Sequence, residues 1–272
     1  MPLSVLTLNI WNDGGPWQER ALLIREWIER LDPDLIGLQE VLVGPGTDQA
    51  RELVGDRGYS LDFAGARTFW KDASAELGNA VASRWPIVDR EVARLPDAGD
   101  AETRVALAVT IDAPTGPVSF TCTHLHWRFH HGWVRERQVR ALGELVVRRR
   151  PRNGFPPILV GDMNAEPEST EMRYVRGLHA LEDSSLYLRD AWLEAGSGSD
   201  GITWSNRNPY AGAAREPDRR IDYIYVGSPQ RNGVGLVESC RVVCAAAREG
   251  VWPSDHFGVC AELRTEPLES AG

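Results

Sequence analysis

The sequence has few cysteines, no long apolar run and no excess of basic residues. Its cysteines, none of which forms a CxxC pair, are Cys122, Cys240, Cys244 and Cys260. A zinc site or a disulfide framework built on cysteine is therefore disfavoured, and we expect reduced packing residues. No run approaches the roughly 18 apolar residues of a membrane-spanning helix, and the N-terminus "MPLSVLTLNIW" lacks the pattern of a signal peptide. These absences predict a soluble, cytoplasmic protein, which we expect to be a monomer.

The net charge is −9 at pH 7, with 30 basic against 39 acidic residues. A negative protein repels a polyanion unless its positive residues gather on one face, so a general nucleic-acid binder is disfavoured. Residues 124–152 are a local exception, with eight arginines against two glutamates and hence a net charge of +6 before any histidine is protonated. This basic segment is a candidate contact for phosphate.

The composition is that of an ordinary globular protein, with 42% hydrophobic and 25% charged residues. No repeat, low-complexity tract or linker divides the chain, so we expect a single domain over residues 1–272. About ten β-type segments indicate more than one sheet. They are "SVLTLNIW" (4–11), "DLIGLQEV" (34–41), "YSLDFAGA" (59–66), "NAVASRW" (79–85), "VALAVTID" (105–112), "PVSFTCTHL" (117–125), "PILVGD" (157–162), "IDYIYV" (221–226), "SCRVVCAA" (239–246) and "HFGVCAEL" (256–263).

Helical spacing of apolar residues predicts a helix over residues 17–31, with Pro16 at a first helical position. A second helix is predicted over roughly 133–150, where the arginines lie largely off the apolar face. Shorter helices are predicted near 46–56, 168–179 and 187–195. Because helices alternate with only some of the strands, the sequence favours an α+β architecture, two mixed sheets covered by helices, over a strict βαβ barrel.

Polar residues stand at the ends of the predicted strands. The stretch "ILVGDMNAEP" (158–167) ends a buried strand with Asp162 and Asn164, where Gly161 lets the backbone pass closely and Met163 turns into the core. The other strand-end residues are Asn9, Glu40, His124, Asp222, Asp255 and His256. Taken singly, each is explained as a turn, bulge, cap or satisfied histidine. Brought together at one rim, they offer oxygen ligands for Mg²⁺ and imidazoles for phosphoryl oxygens.

Six motifs follow one another over residues 6–259, namely "LTLNIW", "GLQEV", "THL", "GDMN", "RIDYIYV" and "SDHFGV". The series resembles that of the endonuclease/exonuclease/phosphatase superfamily, which includes deoxyribonuclease I, abasic-site endonucleases, neutral sphingomyelinases, inositol polyphosphate 5-phosphatases and deadenylases. The resemblance implies a four-layer α/β/β/α sandwich of two mixed sheets flanked by helices. It also implies Mg²⁺-dependent cleavage of a phosphate ester.

The resemblance assigns the metal to three of these residues. Glu40 resembles the principal metal ligand, with Asn9 beside it and Asp255 as a further or water-mediated contact. We expect Mg²⁺, with Mn²⁺ as a substitute.

The resemblance assigns the chemistry to five others. Asp162 resembles the residue that orients or deprotonates the attacking water, and Asn164 its partner. His256 resembles the imidazole that binds the scissile phosphate, with Asp222 fixing its tautomer and charge. His124 resembles a histidine near the leaving group.

Substrate contacts are less sharply indicated. Arg104 in "ETRVALAVT" either reaches the phosphate or begins a strand as a solvated charge. His126 and Arg128 in "THLHWRFHHGWVRER" are candidate substrate contacts, and a metal cluster is the alternative for the histidines of this segment. The loop 197–220 is a candidate for substrate selection because long loops in compact domains are often functional. Four of the ten tryptophans fall near motifs or loops, where they either contact substrate or pack in the core: Trp11, Trp70, Trp127 and Trp204.

Three functions stay open at this point. The first is a metal-dependent phosphodiesterase or phosphatase for a small or lipid-like phosphate ester, by in-line attack of an activated water. The second is a nuclease acting on DNA or RNA, which the net charge disfavours. The third, a catalytically silent binding protein with the same fold, is ranked last because every motif is intact.

Overall fold

The computed structural model describes residues 2–268. Within this range the chain forms thirteen strands and six α-helices. The strands are β1 (Leu3–Asn9), β2 (Leu35–Gly44), β3 (Thr47–Asp48), β4 (Ser60–Phe69), β5 (Asp72–Ser83), β6 (Ile87–Arg94), β7 (Val105–Ala113), β8 (Gly116–His124), β9 (Ile158–Asp162), β10 (Arg189–Asp190), β11 (Asp222–Val226), β12 (Val237–Val243) and β13 (Gly258–Leu263). The helices are α1 (Trp17–Leu31), α2 (Gln49–Val54), α3 (Gly132–Arg149), α4 (Thr170–Val175), α5 (Ala191–Ala195) and α6 (Pro209–Gly212).

The strands form two mixed sheets. The first has the order β12-β13-β1-β2-β5-β4, with β3 paired to β2, and the second has the order β10-β11-β9-β8-β7-β6. The central pair of each sheet is parallel, β1 with β2 and β8 with β9. Parallel strands end at the same edge of a sheet, so the register sets Asn9 opposite Gln39 and His124 opposite Asp162. Antiparallel β11 begins there, with Asp222 also opposite Asp162.

The sheets face each other across an apolar core, and helices cover their outer faces. Leu107, Phe120 and Val160 of one sheet meet residues such as Val259 of the other in this core. Helices α1 and α2 pack on the first sheet, and α3 and α4 pack on the second. These four layers confirm the α/β/β/α sandwich of two mixed sheets that the motif series implied.

Helix α1 shows how local sequence and packing agree. Ala21, Ile24 and Ile28, which are spaced by three and four, are buried against the first sheet. The helix ends at Asp32, whose left-handed backbone (φ 47°) closes it with a bond from its N–H to the carbonyl of Ile28. Pro16, which was predicted at the first helical position, is the N-cap and lies one residue before that position.

All ten predicted strands are present, but short elements differ from the prediction. Strand β6 was missed because its sequence "IVDREVAR" is charged and largely exposed, as suits the edge of the second sheet. The predicted helix over 187–195 is instead β10 followed by the one-turn helix α5. Helices α2 and α4 have six residues each, fewer than predicted. Segments this short do not display a full helical period.

Two of the sequence predictions concerned the state of the cysteines and the presence of membrane-spanning helices. All four cysteines are free and buried, as expected of packing residues. Within residues 2–268, no helix is long and apolar enough to cross a bilayer.

Candidate active site

A cleft of about 540 Å³ opens at the rim where the central strands of both sheets end. Seven of the eleven predicted site residues line it, namely Glu40, Arg104, His124, Asp162, Asn164, Asp255 and His256. Asn9 and Asp222 lie behind this lining, and each is hydrogen-bonded to a residue in it. His126 and Arg128 are not among the lining residues. All eight residues at the strand ends therefore converge, together with Arg104.

Asp162, the last residue of β9, is the centre of the cleft and is almost fully buried. Its Oδ1 accepts a bond from the backbone N–H of Asn164 at 2.9 Å. Its Oδ2 accepts from Nδ2 of Asn9 at 3.0 Å, and lies 3.3 Å from Nε2 of His124 and 3.6 Å from Nε2 of His256. Burial raises the pKa of Asp162 to about 6, because the positive charge of His256 offsets burial only in part.

The backbone around Asp162 explains the residues on either side of it. A Cβ at Gly161, where φ is +149°, would lie 1.9 Å from the carbonyl oxygen of Thr123, so only glycine allows this close approach of β9 to β8. Met163 is fully buried in the cluster beneath α4. Asn164 has a left-handed backbone (φ 48°), and its Nδ2 donates to the carbonyl oxygen of Leu125 at 3.2 Å. The side chains of residues 162 and 164 thereby both reach the rim.

His256 occupies one side of Asp162 and is paired with a second carboxylate. Its Nδ1 lies 2.9 Å from Oδ2 of Asp222, and both side chains are buried. The ring of Trp204 packs edge-on against it, with 4.9 Å between ring centroids. Burial alone lowers the pKa of His256, but the charges of Asp222 and Asp162 outweigh it and hold that pKa well above the ordinary value. His256 is therefore a cation at neutral pH.

His124 occupies the other side of Asp162 and contacts a cation. Nη1 of Arg104 lies 3.0 Å from Nδ1 of His124, and Nη2 of Arg104 pairs with Glu102 at 2.9 Å. The second oxygen of Glu102 binds Arg67 at 2.7 Å. Burial lowers the pKa of His124 well below the ordinary value, and the charge of Arg104 lowers it further. His124 is thus neutral; Arg104 donates to its Nδ1, and its Nε2 lies 3.0 Å from Nδ2 of Asn164 and 3.3 Å from Oδ2 of Asp162.

Glu40 and Asp255 are two of the carboxylates that line the cleft. Burial raises the pKa of Asp255 to about 7. The positive charge of His256 partly offsets this rise in pKa, and the negative charge of Glu40 adds to it. A divalent cation held between these carboxylates would relieve that repulsion. Carboxylate oxygens are also the ligands that a hard ion such as Mg²⁺ prefers.

Two asparagines orient Glu40, and one of them was not predicted. Nδ2 of Asn12 donates to Oε2 of Glu40 at 2.6 Å, and Nδ2 of Asn9 donates to Oε1 at 3.4 Å. The amide oxygen of Asn9 accepts the N–H of Trp11 at 3.0 Å. The resemblance placed Asn9 beside the metal. In the structure its side-chain nitrogen donates to the carboxylates of Glu40 and Asp162 and so aligns them. The sequence feature that could have identified Asn12 is its position three residues after Asn9.

Arg20 on α1 is a second residue that the sequence did not single out. It is fully buried, and although burial lowers its pKa to about 10, it is charged at neutral pH. Its five N–H groups donate to backbone carbonyls, those of Ile10, Trp11, Asn12, Gly14 and Pro253. Arg20 thereby ties the loop after β1 to the segment that carries Asp255. An arginine within an amphipathic helix usually faces solvent, so its position is decided by tertiary structure alone.

The basic segment 124–152 is largely neutralised by acidic partners. Five of its eight arginines form ion pairs with acidic residues elsewhere in the chain, namely Arg128 with Asp100, Arg135 with Glu171, Arg140 with Glu182, Arg148 with Glu91 and Arg149 with Asp89. His126 is fully buried and contacts Asp100 and His131, and Arg128 stacks over Trp127 at 4.8 Å. The segment therefore does not present a continuous positive surface.

Aromatic and basic side chains form the walls of the cleft. The four tryptophans noted in the sequence all line it, namely Trp11, Trp70, Trp127 and Trp204. The guanidinium of Arg67 lies 5.3 Å from the ring centroid of Trp70. The loop 197–220 contains α6 and contributes Trp204, Glu216 and Arg219 to the lining.

Comparisons with known proteins agree on one family. The family model described as Endonuclease/Exonuclease/phosphatase family matches residues 6–256. Nocturnin from Homo sapiens is 26% identical over 264 residues, which are 91% of this chain and 58% of Nocturnin. For Nocturnin from Rattus norvegicus the identity is 27%, over 77% of this chain and 49% of that protein. The chain thus spans about half the length of the curated relatives it matches.

Solved structures of similar proteins have the same fold. The endonuclease/exonuclease/phosphatase from Beutenbergia cavernae DSM 12333 is 26% identical, with a TM-score of 0.70 over 96% of this chain and 71% of that one. The human Nocturnin catalytic domain with bound sulfate anion is 24% identical, with a TM-score of 0.73 over 97% and 94% of the two chains. D. rerio TDP2 complexed with single strand DNA product is 17% identical, with a TM-score of 0.73 over 96% and 98%. Below one-quarter identity, such likeness shows the fold alone.

The matched span begins at the motif that contains Asn9 and ends at His256, and so includes the strand ends that meet at the cleft. This chain belongs to the endonuclease/exonuclease/phosphatase family, whose members are metal-dependent phosphoric ester hydrolases.

Proposed function

We propose that this protein is a Mg²⁺-dependent phosphodiesterase or phosphatase that acts on a small or lipid-like phosphate ester. The observation that carries the proposal is the approach of two imidazoles to one buried carboxylate oxygen, Oδ2 of Asp162, beside carboxylates that fit a divalent cation. In-line attack on phosphorus needs a water held on one side and neutralised charge on the other. The residues of this cleft are suited to both tasks.

In this proposal Glu40 and Asp255 hold the ion, and Asn9 and Asn12 keep Glu40 in position. When bound, Mg²⁺ supplies Lewis-acid stabilisation of charge on a phosphoryl oxygen. Asp162 orients the attacking water and accepts its proton. A carboxylate whose pKa is about 6 is ionised at neutral pH and is yet a stronger base than an ordinary aspartate.

The two histidines take different parts in the proposal. His256, a cation paired with Asp222, binds a non-bridging oxygen of the scissile phosphate. His124 is neutral, and with its proton on Nε2, the nitrogen opposite the one that faces Arg104, it would donate that N–H toward the leaving group. Asn164, held by Asp162 and by the carbonyl of Leu125, binds the water or a phosphoryl oxygen.

The walls of the cleft favour a compact substrate with a flat or apolar group beside the phosphate. Trp70 is 61% exposed and Trp127 is 44% exposed, so both rings are open to contact. Arg67 and Arg219 lie in the same lining, where each is paired with a glutamate, Glu102 or Glu216, so an anionic ester would compete with these pairs. Because five of the eight arginines in residues 124–152 are paired, and the net charge is −9, a long duplex has few free positive charges to bind along.

Single-stranded nucleic acid is the second candidate substrate. Four tryptophans at the cleft favour it, since aromatic rings stack on bases whatever the sequence. The D. rerio TDP2 structure contains a single strand DNA product, and the human Nocturnin catalytic domain contains a sulfate anion. Related folds thus hold phosphate or phosphate-like anions.

The test is a screen of the purified protein with and without Mg²⁺, with Asp162→Ala as the inactive control. The substrates are bis(p-nitrophenyl) phosphate, p-nitrophenyl phosphate, p-nitrophenylphosphorylcholine, a single-stranded oligonucleotide, an abasic oligonucleotide and plasmid DNA. Mg²⁺-dependent turnover of small esters, lost in Asp162→Ala, supports the proposal. Cleavage of nucleic acid alone replaces it with the second candidate. Inactivity on every substrate, with Mg²⁺ or Mn²⁺ present, favours a catalytically silent binding protein.

A further inference from the structure

We propose that Asp100, His126 and His131 form a second metal site, separate from the carboxylate cleft and selective for Zn²⁺. Nε2 of His126 lies 3.1 Å from Nδ1 of His131 and 3.4 Å from Oδ2 of Asp100. The three potential ligand atoms all lie within 4.8 Å of one another. Ligands held at ~2.0–2.1 Å from a tetrahedral zinc ion are ~3.3 Å apart, so two of the three spacings already match.

The ligand types distinguish this site from the cleft. Two imidazole nitrogens and one carboxylate oxygen suit Zn²⁺, whereas the carboxylates of Glu40 and Asp255 suit Mg²⁺. His126 is fully buried, and burial lowers its pKa, so its imidazole is neutral, which is the form that binds a metal. Asp100 and His131 are only half-buried, which leaves room for water at the fourth position of a tetrahedral ion.

The hydrogen bonds of the metal-free cluster leave one proton between two acceptors. The backbone N–H of Arg128 donates to Nδ1 of His126 at 3.2 Å, so the proton of this neutral ring lies on Nε2. That proton faces both Asp100 and His131. A zinc ion at this position would need the ring proton of His126 on Nδ1, which would displace the hydrogen bond from the backbone N–H of Arg128. The contacts of Nε2 with Asp100 and His131 would be replaced by three metal–ligand bonds.

The ion would join two segments that border the cleft. Asp100 lies in the segment before β7 that also carries Glu102 and Arg104, and His126 and His131 follow β8. Glu102 and Arg104 line the cleft, as does Trp127 beside His126. Zinc at this position therefore stabilises one wall of the cleft without contacting Asp162. We expect it to raise the thermal unfolding temperature.

The experiment is a calorimetric titration of the metal-free protein with Zn²⁺ in the presence of excess Mg²⁺, which occupies the carboxylate cleft. We expect the wild type to bind one Zn²⁺, and the affinity to fall at least about tenfold in His131→Ala and in Asp100→Asn. His130→Ala is the matched control, because His130 is an exposed neighbour outside the cluster. Glu40→Gln tests the cleft, and we expect it to keep the zinc affinity.

A second readout follows the ligands themselves. Co²⁺ in place of Zn²⁺ gives a visible absorption band for a tetrahedral site, and His131→Cys retains a ligand that adds a thiolate charge-transfer band. This variant separates loss of a ligand from loss of folding. Equal zinc affinity in the wild type and His131→Ala overturns the proposal. So does zinc binding that disappears in Glu40→Gln, because the ion then belongs to the cleft.

Discussion

His124 and His256 approach the same oxygen of Asp162 from surroundings of opposite charge. His124 contacts the guanidinium of Arg104 at 3.0 Å, and His256 contacts the carboxylate of Asp222 at 2.9 Å. Both rings are almost fully buried, so burial acts on both in the same direction. The charged neighbour decides the outcome: the pKa of His124 is lowered and that of His256 is raised.

The comparison teaches that one residue type at two strand ends supplies two different chemical groups. A buried imidazolium offers a positive charge to a phosphoryl oxygen, while a neutral imidazole offers one N–H. Sites that push the pKa values of similar groups apart commonly divide acid and electrostatic roles between them. The division of roles that we propose for the two histidines depends on this difference, and the following variants test it.

Removing the carboxylate that both histidines share is expected to have the largest effect. In Asp162→Asn the side chain keeps its size but neither accepts a proton from water nor stabilises the charge of His256. We expect kcat/KM for the hydrolysed ester to fall on the order of 10⁴-fold. Steady-state kinetics at saturating Mg²⁺ measure this. A fall of less than tenfold would mean that another group accepts the proton.

Removing the acidic partner of His256 tests the charged side. In Asp222→Asn we expect the pKa of His256 to fall, because the largest charge that raises it is lost. A neutral His256 no longer offsets phosphoryl charge, and kcat/KM should drop on the order of 10³-fold. The check is the kinetics together with an NMR titration of the metal-free protein. Unchanged titration of His256 would contradict the assigned pairing.

Removing the cationic partner of His124 tests the neutral side. In Arg104→Gln we expect the pKa of His124 to rise, although burial, the larger cause, still holds it below the ordinary value, so the ring becomes protonated at a higher pH than in the wild type. The contact of Arg104 with Nδ1 is lost as well, and we expect kcat/KM to fall on the order of 10²-fold. Arg90→Gln is the control, since Arg90 is exposed and pairs with Asp62 away from the cleft. A His124 titration that matches the wild type would argue against this electrostatic role of Arg104.

Changing the aromatic neighbour of His256 is expected to have the smallest effect. The ring of Trp204 contacts His256 edge-on without adding charge, so Trp204→Phe should preserve the raised pKa. We expect less than a tenfold change in kcat and a larger change in KM, because Trp204 also lines the cleft. A loss of kcat as large as that of Asp222→Asn would show that packing, and not charge, sets the state of His256.

The sequence anticipated the elements that carry the site better than the contacts within it. All ten predicted strands are present, and nine of eleven predicted site residues lie at the cleft or directly behind it. Strand alternation is a local property of apolar residues, and the motifs stand beside the strands that position them. The charged edge strand β6 and the one-turn helix α5 lack such a local signal.

Residues that act through distant partners were not accessible to sequence reasoning. Arg20 is held in place by backbone carbonyls of two separate loops. Arg67 and Glu102 act on His124 through Arg104. His126 was expected near the substrate and instead meets Asp100, which is 26 residues earlier in the chain. No periodicity or spacing in the sequence indicates that such residues are partners, because only folding brings them together.

The sequence by itself determined the strands, the polar residues at their ends and, through the order of six motifs, the family. The strands and the polar residues at their ends depend on neighbours within a few residues along the chain. The family was identified from short motifs, each of which can be compared separately. Only the tertiary structure decided which imidazole is charged, which is neutral and which lies outside the cleft. Protonation depends on burial and on charges within a few ångströms, and those are set when the parallel central strands of two sheets bring residues more than a hundred positions apart to one rim.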